Sequence, residues 1–206
     1  MKSHPLVLAT RNSGKIEEFR RILDEIAPGE VELIGLENFP DLGDVEETGK
    51  TFEENSLLKA RTICLATGIS AIADDSGLCV DYLGGDPGIY SARWSGTHGD
   101  DKANLQKVLN QLDGVPREKR SAHFRCVTSF VTPTGIEIAQ EGILEGYILT
   151  EPVGTFGFGY DPIFQPHGSQ LSLAEMSAEA KDSISHRGQS LRAIAPRVTQ
   201  MLATLG

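Results

Sequence analysis

Residues 71–77 read Ala-Ile-Ala-Asp-Asp-Ser-Gly, and this stretch decides how the rest of the chain is placed. An apolar run, Ala71 to Ala73, meets Asp74 and Asp75 without transition, and Ser76-Gly77 is turn chemistry. The pattern predicts a buried strand that delivers two carboxylates to the end of a sheet, with the chain turning away at Ser76. Successive strand side chains point to opposite faces, so at most one of the two aspartates serves a given site. That one would be a metal ligand or base and the other a structural hydrogen-bond acceptor. An ordinary Asp-Ser-Gly turn is the competing reading.

Upstream, Leu6 to Ala9 reads as a second buried strand, followed by Thr10-Arg11-Asn12-Ser13-Gly14-Lys15. Ile16, Phe19, Ile22, Leu23 and Ile26 then recur at helical spacing. Strand, short glycine-containing loop and helix leave backbone N–H groups at a helix N-terminus, where an anion is stabilised. Thr10, Asn12 and Lys15 add side-chain donors. The loop is not a Walker A motif, which would need Gly at Ala9 and Ser or Thr at Ile16. It predicts a phosphate-binding loop of another kind, against the alternative of a capped βα turn. Val31 to Leu36 is a further short strand, and Glu37 to Thr48 an acidic loop. Glu46, Glu47 and Thr48-Gly49 lead into a helix expected from about Thr51 to Thr67 and closed by Gly68. Asn55 and Lys59 share one face of it, with Leu57 and Cys64 on the far side. A solvated surface is the common reading of such a pair, but that face has no acidic partner at helical spacing, which adds weight to a phosphate contact.

Downstream, Leu78 to Leu83 alternates as a strand, and Asp100 is placed to cap a helix carrying Leu105, Val108, Leu109 and Leu112. Ala122 to Val131 and Ile136 to Ile148 are strands joined by the hairpin connection Thr132 to Gly135. Gly154 to Asp161 interleaves glycines with Phe156, Phe158 and Tyr160, whose flat faces could stack a base or pack a core. Leu171 to Lys181 is helix-like. A C-terminal helix follows, with Leu191, Ile194, Val198, Met201, Leu202 and Leu205 in one stripe and Pro196 expected to bend or interrupt it. His186 and Arg187 at its start gain nothing from the helix dipole, which suggests an anionic or acceptor-rich ligand there, with Lys181 joining them.

Composition sets the limits. A chain of 206 residues fits one domain or two small lobes, and 39% hydrophobic with 23% charged residues describes a globular protein. A net charge of −10 lacks the positive field that duplex nucleic acid requires, so a phosphate-bearing ligand needs local lysines or a cation. Cys64, Cys79 and Cys126 are far apart and suggest neither a disulfide framework nor a zinc site. With no apolar run long enough for a signal or a membrane span, a cytoplasmic protein without membrane or nucleic-acid partners is expected.

Six motifs, TRNSGK, EETGKTFEENSLLKA, AIADDSGL, GGDPGIYSAR, FGYDPIF and SHRGQSL, occur in the order seen in the bacterial dITP/XTP pyrophosphatases. The chain resembles this Ham1-like family of inosine triphosphate pyrophosphatases from Leu6 to about Ile194; Glu118 to Thr150 is not diagnostic. The resemblance implies an α/β fold, a long twisted mixed sheet flanked by helices. It implies a single domain over residues 1–206, with two lobes around a central nucleotide-binding cleft, and usually a homodimer. It makes Asp75 the proton acceptor and a Mg2+ ligand, with Glu46 or Glu47 as the other ligand. Thr10, Arg11, Asn12, Ser13, Gly14 and Lys15 would hold the triphosphate, Asn55 and Lys59 would approach the phosphates, and Ser76 would contact substrate. Phe158, Gly159, Tyr160, Asp161, Lys181, His186 and Arg187 would surround the purine. The implied reaction converts ITP, dITP or XTP to the monophosphate and pyrophosphate. A non-catalytic purine nucleotide sensor and a Maf-like pyrophosphatase of modified nucleotides are the rivals. The acidic residues argue against the first and the SHR and FGYD segments against the second.

Overall fold

The structure is a computed structural model describing residues 3–205. Its strands are β1 (His4–Leu8), β2 (Val31–Gly35), β3 (Ala71–Val80), β4 (Ser121–Val131), β5 (Glu137–Ile148) and β6 (Phe164–Pro166). Its α-helices are α1 (Ser13–Ile26), α2 (Phe52–Thr67), α3 (Asp101–Gln111), α4 (Ala178–Ile184) and α5 (His186–Leu205). The strands form a mixed sheet in the order β2-β1-β3-β4-β5-β6. β1 runs parallel to β2 and β3, with Leu6 opposite Leu33 and Val7 opposite Ala71, and β6 is antiparallel to β5. The expected hairpin is present: Thr132 N donates to Ile136 O at 3.0 Å, and Ile148 N to Arg120 O at 2.9 Å.

The chain divides into two compact units that change over within strands. One comprises the residues up to Asp75, Cys126–Gly142 and those from Arg187 on; the other comprises Ser76–Arg125 and Ile143–His186. In the first unit both faces of the sheet are covered. Leu6, Leu8 and Ile72 pack with Phe19 and Ile22 of α1 and Leu191, Ile194 and Val198 of α5. Val7, Ala9, Ala71 and Ala73 pack with Ala60, Ile63 and Cys64 of α2. Strands buried on both sides read as continuous apolar runs, as these do. α2 matches its expected span, with Thr51 accepting from Glu54 N at its start and Gly68 at φ 68° ending it. In the second unit, Leu78, Val80, Phe124 and Leu144 of the sheet pack with Leu105, Val108 and Leu112 of α3 and its capped extension.

Four expectations are corrected. β3 does not stop at the aspartates but continues to Val80, and a 3-10 turn over Asp81–Leu83 replaces the end of the second predicted strand. Gly77 is needed for closeness, since a Cβ there would collide with the Gly88 carbonyl. Leu78 N donates to Ser91 Oγ at 2.9 Å across that contact. Leu171 to Lys181 is not one helix: Ser172 caps a 3-10 turn at Leu173–Glu175, and Ser177 starts α4 afresh. Finally, α5 passes Pro196 without interruption. Its apolar stripe is buried, with Leu191 and Ile194 at 0% exposure, and this packing outweighs the proline's missing donor. The Leu205 side chain lies outside the described residues.

Candidate functional site

The pleat of β3 separates the two aspartates. Ile72 lies in the α1/α5 core, so Asp74 points to that side, whereas Asp75 follows Ala71 and Ala73 toward α2.

On the α2 side, Asn55 Nδ2 donates to Asp75 Oδ2 at 3.1 Å. Lys59 Nζ lies 3.4 Å from Asp75 Oδ1 and 2.8 Å from Glu47 Oε1. The expected solvated or phosphate-only face of α2 is therefore a buried face that carries its own carboxylates. Asn55 Oδ1 accepts from Gly49 N at 2.8 Å, tying the acidic loop to α2. A Cβ at Gly49 would sit 2.6 Å from that oxygen, so only glycine allows the approach. Glu47 is half-buried beside Lys59 and Glu46 is exposed, which separates two residues that the sequence left equivalent. Burial pushes Asp75 above the ordinary carboxylate range; the Lys59 ammonium, with Lys15 and the Asn55 hydrogen bond, offsets only part of this, and the Glu47 carboxylate adds to it. For Lys59 burial works against the charge, but Asp75 and Glu47 outweigh it, so its pKa is raised and it stays an ammonium. Two carboxylates thus converge on one ammonium and bring hard oxygen donors together. Among the described residues no group of three or more His, Cys, Asp or Glu gathers to hold a metal ion.

On the other side, Lys15 Nζ lies 2.9 Å from Asp74 Oδ2, and Arg187 Nε and Nη2 each lie 3.2 Å from the same oxygen. Arg187 Nη1 donates to Glu18 Oε2. Lys15 and Glu18 are one turn apart on α1, so α1, β3 and α5 meet in a quartet of two cations and two anions. Its charges balance. Burial alone would raise Asp74, but Lys15, Arg187 and Lys59 together hold it well below the usual carboxylate range. Cys126 Sγ is 3.7 Å from Asp74 Oδ2, and burial together with that charge pushes the thiol up to about 12, as expected of a core cysteine. The anionic group anticipated near Arg187 is thus present within the protein. Glu18 escaped the sequence reading, although a glutamate amid the apolar spacing of Ile16, Phe19 and Ile22 is a recognisable signal.

The loop before α1 forms the capped βα turn. Asn12 Oδ1 caps the helix by accepting from Lys15 N at 2.9 Å, and Thr10 Oγ1 accepts from Asn12 N at 3.2 Å. Ser13 and Gly14 form the first turn. Arg11 reaches instead to the acidic loop, donating to Leu42 O at 2.6 Å and to Asp44 Oδ1 at 3.2 Å.

In the second unit, Ser76 is half-buried in β3. Asp161 Oδ2 accepts from Phe158 N at 2.9 Å and from Lys181 Nζ at 2.5 Å, and the Lys181 ammonium lies 4.7 Å from the Phe158 ring centroid. Tyr160 does not offer a flat face: it is 5% exposed within the core, and its hydroxyl donates to Ser91 O at 2.8 Å. His186 stacks on Phe124 at 4.7 Å. Gly159 N donates to Asp101 Oδ2 at 2.9 Å, a contact no motif indicated.

A family model described as the Ham1 family matches residues 6–197. A dITP/XTP pyrophosphatase of Streptomyces avermitilis is 53% identical over 197 residues, covering 96% of this chain and 98% of its own. The structure of a HAM1 protein from Coxiella burnetii superposes with a TM-score of 0.84 at 39% identity, covering 96% of this chain and 99% of that one. The structure of a nucleoside-triphosphatase / dITP/XTP pyrophosphatase from Mycobacterium abscessus gives 0.75 at 46% identity, covering 93% and 99%.

Proposed function

The chain belongs to the Ham1 family, and we propose that it hydrolyses the non-standard purine nucleotides ITP, dITP and XTP to the nucleoside monophosphate and pyrophosphate. The observation that carries this reading is the Asp75–Lys59–Glu47 constellation: a buried carboxylate and a second carboxylate that both meet one ammonium. In this reading water attacks the α-phosphorus and pyrophosphate is the leaving group. Asp75 accepts the proton of that water, and its raised pKa makes it a better base than an ordinary carboxylate. Asn55 holds the other carboxylate oxygen and so fixes the direction of attack. Lys15 and Lys59 stabilise the charge that collects on the leaving pyrophosphate.

Asp75 and Glu47 fit a hard divalent cation, because their oxygens already converge on one positive charge and their own charges exceed it. We assign them to Mg2+, which when bound neutralises phosphate charge and lowers the pKa of water. At the base end, Phe158 offers a ring to stack on, and Lys181 and His186 belong to the same base-recognition set. Hypoxanthine and xanthine present an acceptor at O6 and a donor at N1, which adenine reverses, so donors aimed at O6 are left unpaired by ATP. A homodimer, a cytoplasmic location and a single domain over residues 1–206 complete the reading, on the strength of family membership. No helix among the described residues is long and apolar enough to cross a membrane.

The test is product identification with ITP, dITP, XTP, GTP and ATP in the presence of magnesium. The expected products from ITP are IMP and pyrophosphate, with ATP and GTP turned over far more slowly. IDP with inorganic phosphate would overturn the reading.

A further inference from the structure

The segment that presents Phe158 is intrinsically loose. Gly157 and Gly159 on either side of it have φ of 74° and 60°, a left-handed backbone that side-chain-bearing residues avoid. Such a segment positions an aromatic ring only if something outside it fixes the backbone. Two consecutive amides, those of Phe158 and Gly159, are each captured by a carboxylate, Asp161 Oδ2 and Asp101 Oδ2, both at 2.9 Å. Asp161 belongs to the FGYD motif; Asp101 lies far away in sequence, at the start of α3.

Asp101 is well suited to such a task. Asp100 performs the capping of α3, its Oδ1 accepting from Ala103 N at 3.0 Å, so the Asp101 carboxylate is not needed for that role. A negative charge in the first turn of a helix is favoured by the helix dipole, which places it there at no electrostatic cost. α3 itself is firmly seated. Asn104, 1% exposed, accepts from Ser95 N at 2.6 Å and donates to Ala92 O at 3.2 Å, and Val108 is fully buried. The acceptor therefore projects from a firmly seated helix toward a glycine-flanked segment, and a charged acceptor makes the stronger kind of hydrogen bond.

We propose that Asp101 is a positioning residue for the reaction, fixing the Gly159 amide so that the Phe158 ring, with the Lys181 ammonium over it, is ordered before the purine arrives. This rests on the reading of Phe158 as the base-stacking residue. Asp101 touches neither the base nor the phosphates in this role; it acts by lowering the ordering cost of binding.

Asp101→Ala and Asp101→Asn separate positioning from mere fold support, because the asparagine side-chain oxygen still accepts a hydrogen bond. Asp101→Ala is expected to raise the KM for ITP by about threefold to tenfold, the worth of one partly exposed hydrogen bond to a charged acceptor. Its kcat should stay within about twofold, with Asp101→Asn recovering most of the loss. Inhibition by inorganic tripolyphosphate, which has no base, should be unchanged. Hydrogen exchange across residues 156–160 should quicken in Asp101→Ala and not in the asparagine variant. An unchanged KM, or a parallel loss of tripolyphosphate inhibition, would overturn the proposal. Unchanged exchange would overturn it even if the wild-type protein failed to convert ITP to IMP and pyrophosphate, a failure that would count against the proposed function instead.

Discussion

Asp74 and Asp75 are neighbours in one strand, 1% and 5% exposed, yet their surroundings move their ionisation in opposite directions. Burial is common to both and so does not decide the matter. Asp74 has Lys15 and Arg187 within 3.2 Å, with Glu18 on the same guanidinium, so cations dominate its immediate surroundings while Lys15 stays partly exposed. Asp75 shares the Lys59 ammonium with a second carboxylate, and burial together with that carboxylate outweighs the lysines acting on it. The first arrangement holds helices to a strand; the second asks for a cation and a polyanion. The largest effect should therefore come from Asp75→Asn. We expect kcat to fall by about 10³-fold or more, the scale of a lost general base, while ITP binding remains measurable by calorimetry. Its stability should hold or rise, since the amide removes a charge that the fold disfavours. Turnover within tenfold of wild type would place the chemistry elsewhere.

Asp74→Asn should do the reverse. Removing one partner of a buried ion pair typically costs about 3–5 kcal/mol, because the remaining charges stay buried without compensation. The loss should appear in urea melts. The pH profile sharpens the contrast, with divalent cations chelated. Asp74 has a depressed folded pKa, so its contribution is complete above the ordinary carboxylate pKa of about 3.9 and fades as pH falls below it. Asp75 has a raised folded pKa, so stability should instead increase as pH falls through that value toward about 3.9. Asp74→Asn should abolish the acid-side loss, and Asp75→Asn should abolish the gain above it. If both variants show the same slope, the two sides of the strand are not electrostatically distinct.

Much of this contrast was legible in the sequence, because alternation in a strand is a local rule. AIADDSG announced two carboxylates on opposite faces, and the spacing of Asn55 and Lys59 put both on one face of a helix. Helix ends were legible for the same reason: Thr51, Asp100 and Gly68 act through bonds to residues three or four positions away. What could not be read depends on distant partners. Ser76-Gly77 has the composition of a turn, but the strand continues because the Gly88–Arg93 segment packs directly against Gly77. Arg187 was expected to face a ligand, and only the fold brings Glu18, 169 positions away, to its guanidinium. Tyr160 looked like a platform until its hydroxyl found Ser91 O, and Asp101 has no motif at all.

The smallest effect concerns the acidic loop, where Glu46 and Glu47 are adjacent as Asp74 and Asp75 are. The Asn55–Gly49 bond ties this loop to α2. Glu47 meets Lys59 at 2.8 Å, while Glu46 is exposed. Glu47→Gln should raise the magnesium concentration needed for half-maximal activity by about tenfold or more, since a neutral oxygen replaces a charged ligand. Calorimetric titration of Mg2+ into the protein should show the same weakening. Glu46→Gln should leave both measurements within about twofold, as expected for an exposed charge screened by solvent. The reverse result would mean that the loop turns over when metal binds, exchanging Glu47 for Glu46 beside Asp75. The Lys59–Glu47 pair would then be a feature of the metal-free protein alone, with Glu46 the second carboxylate beside Asp75 in the loaded one.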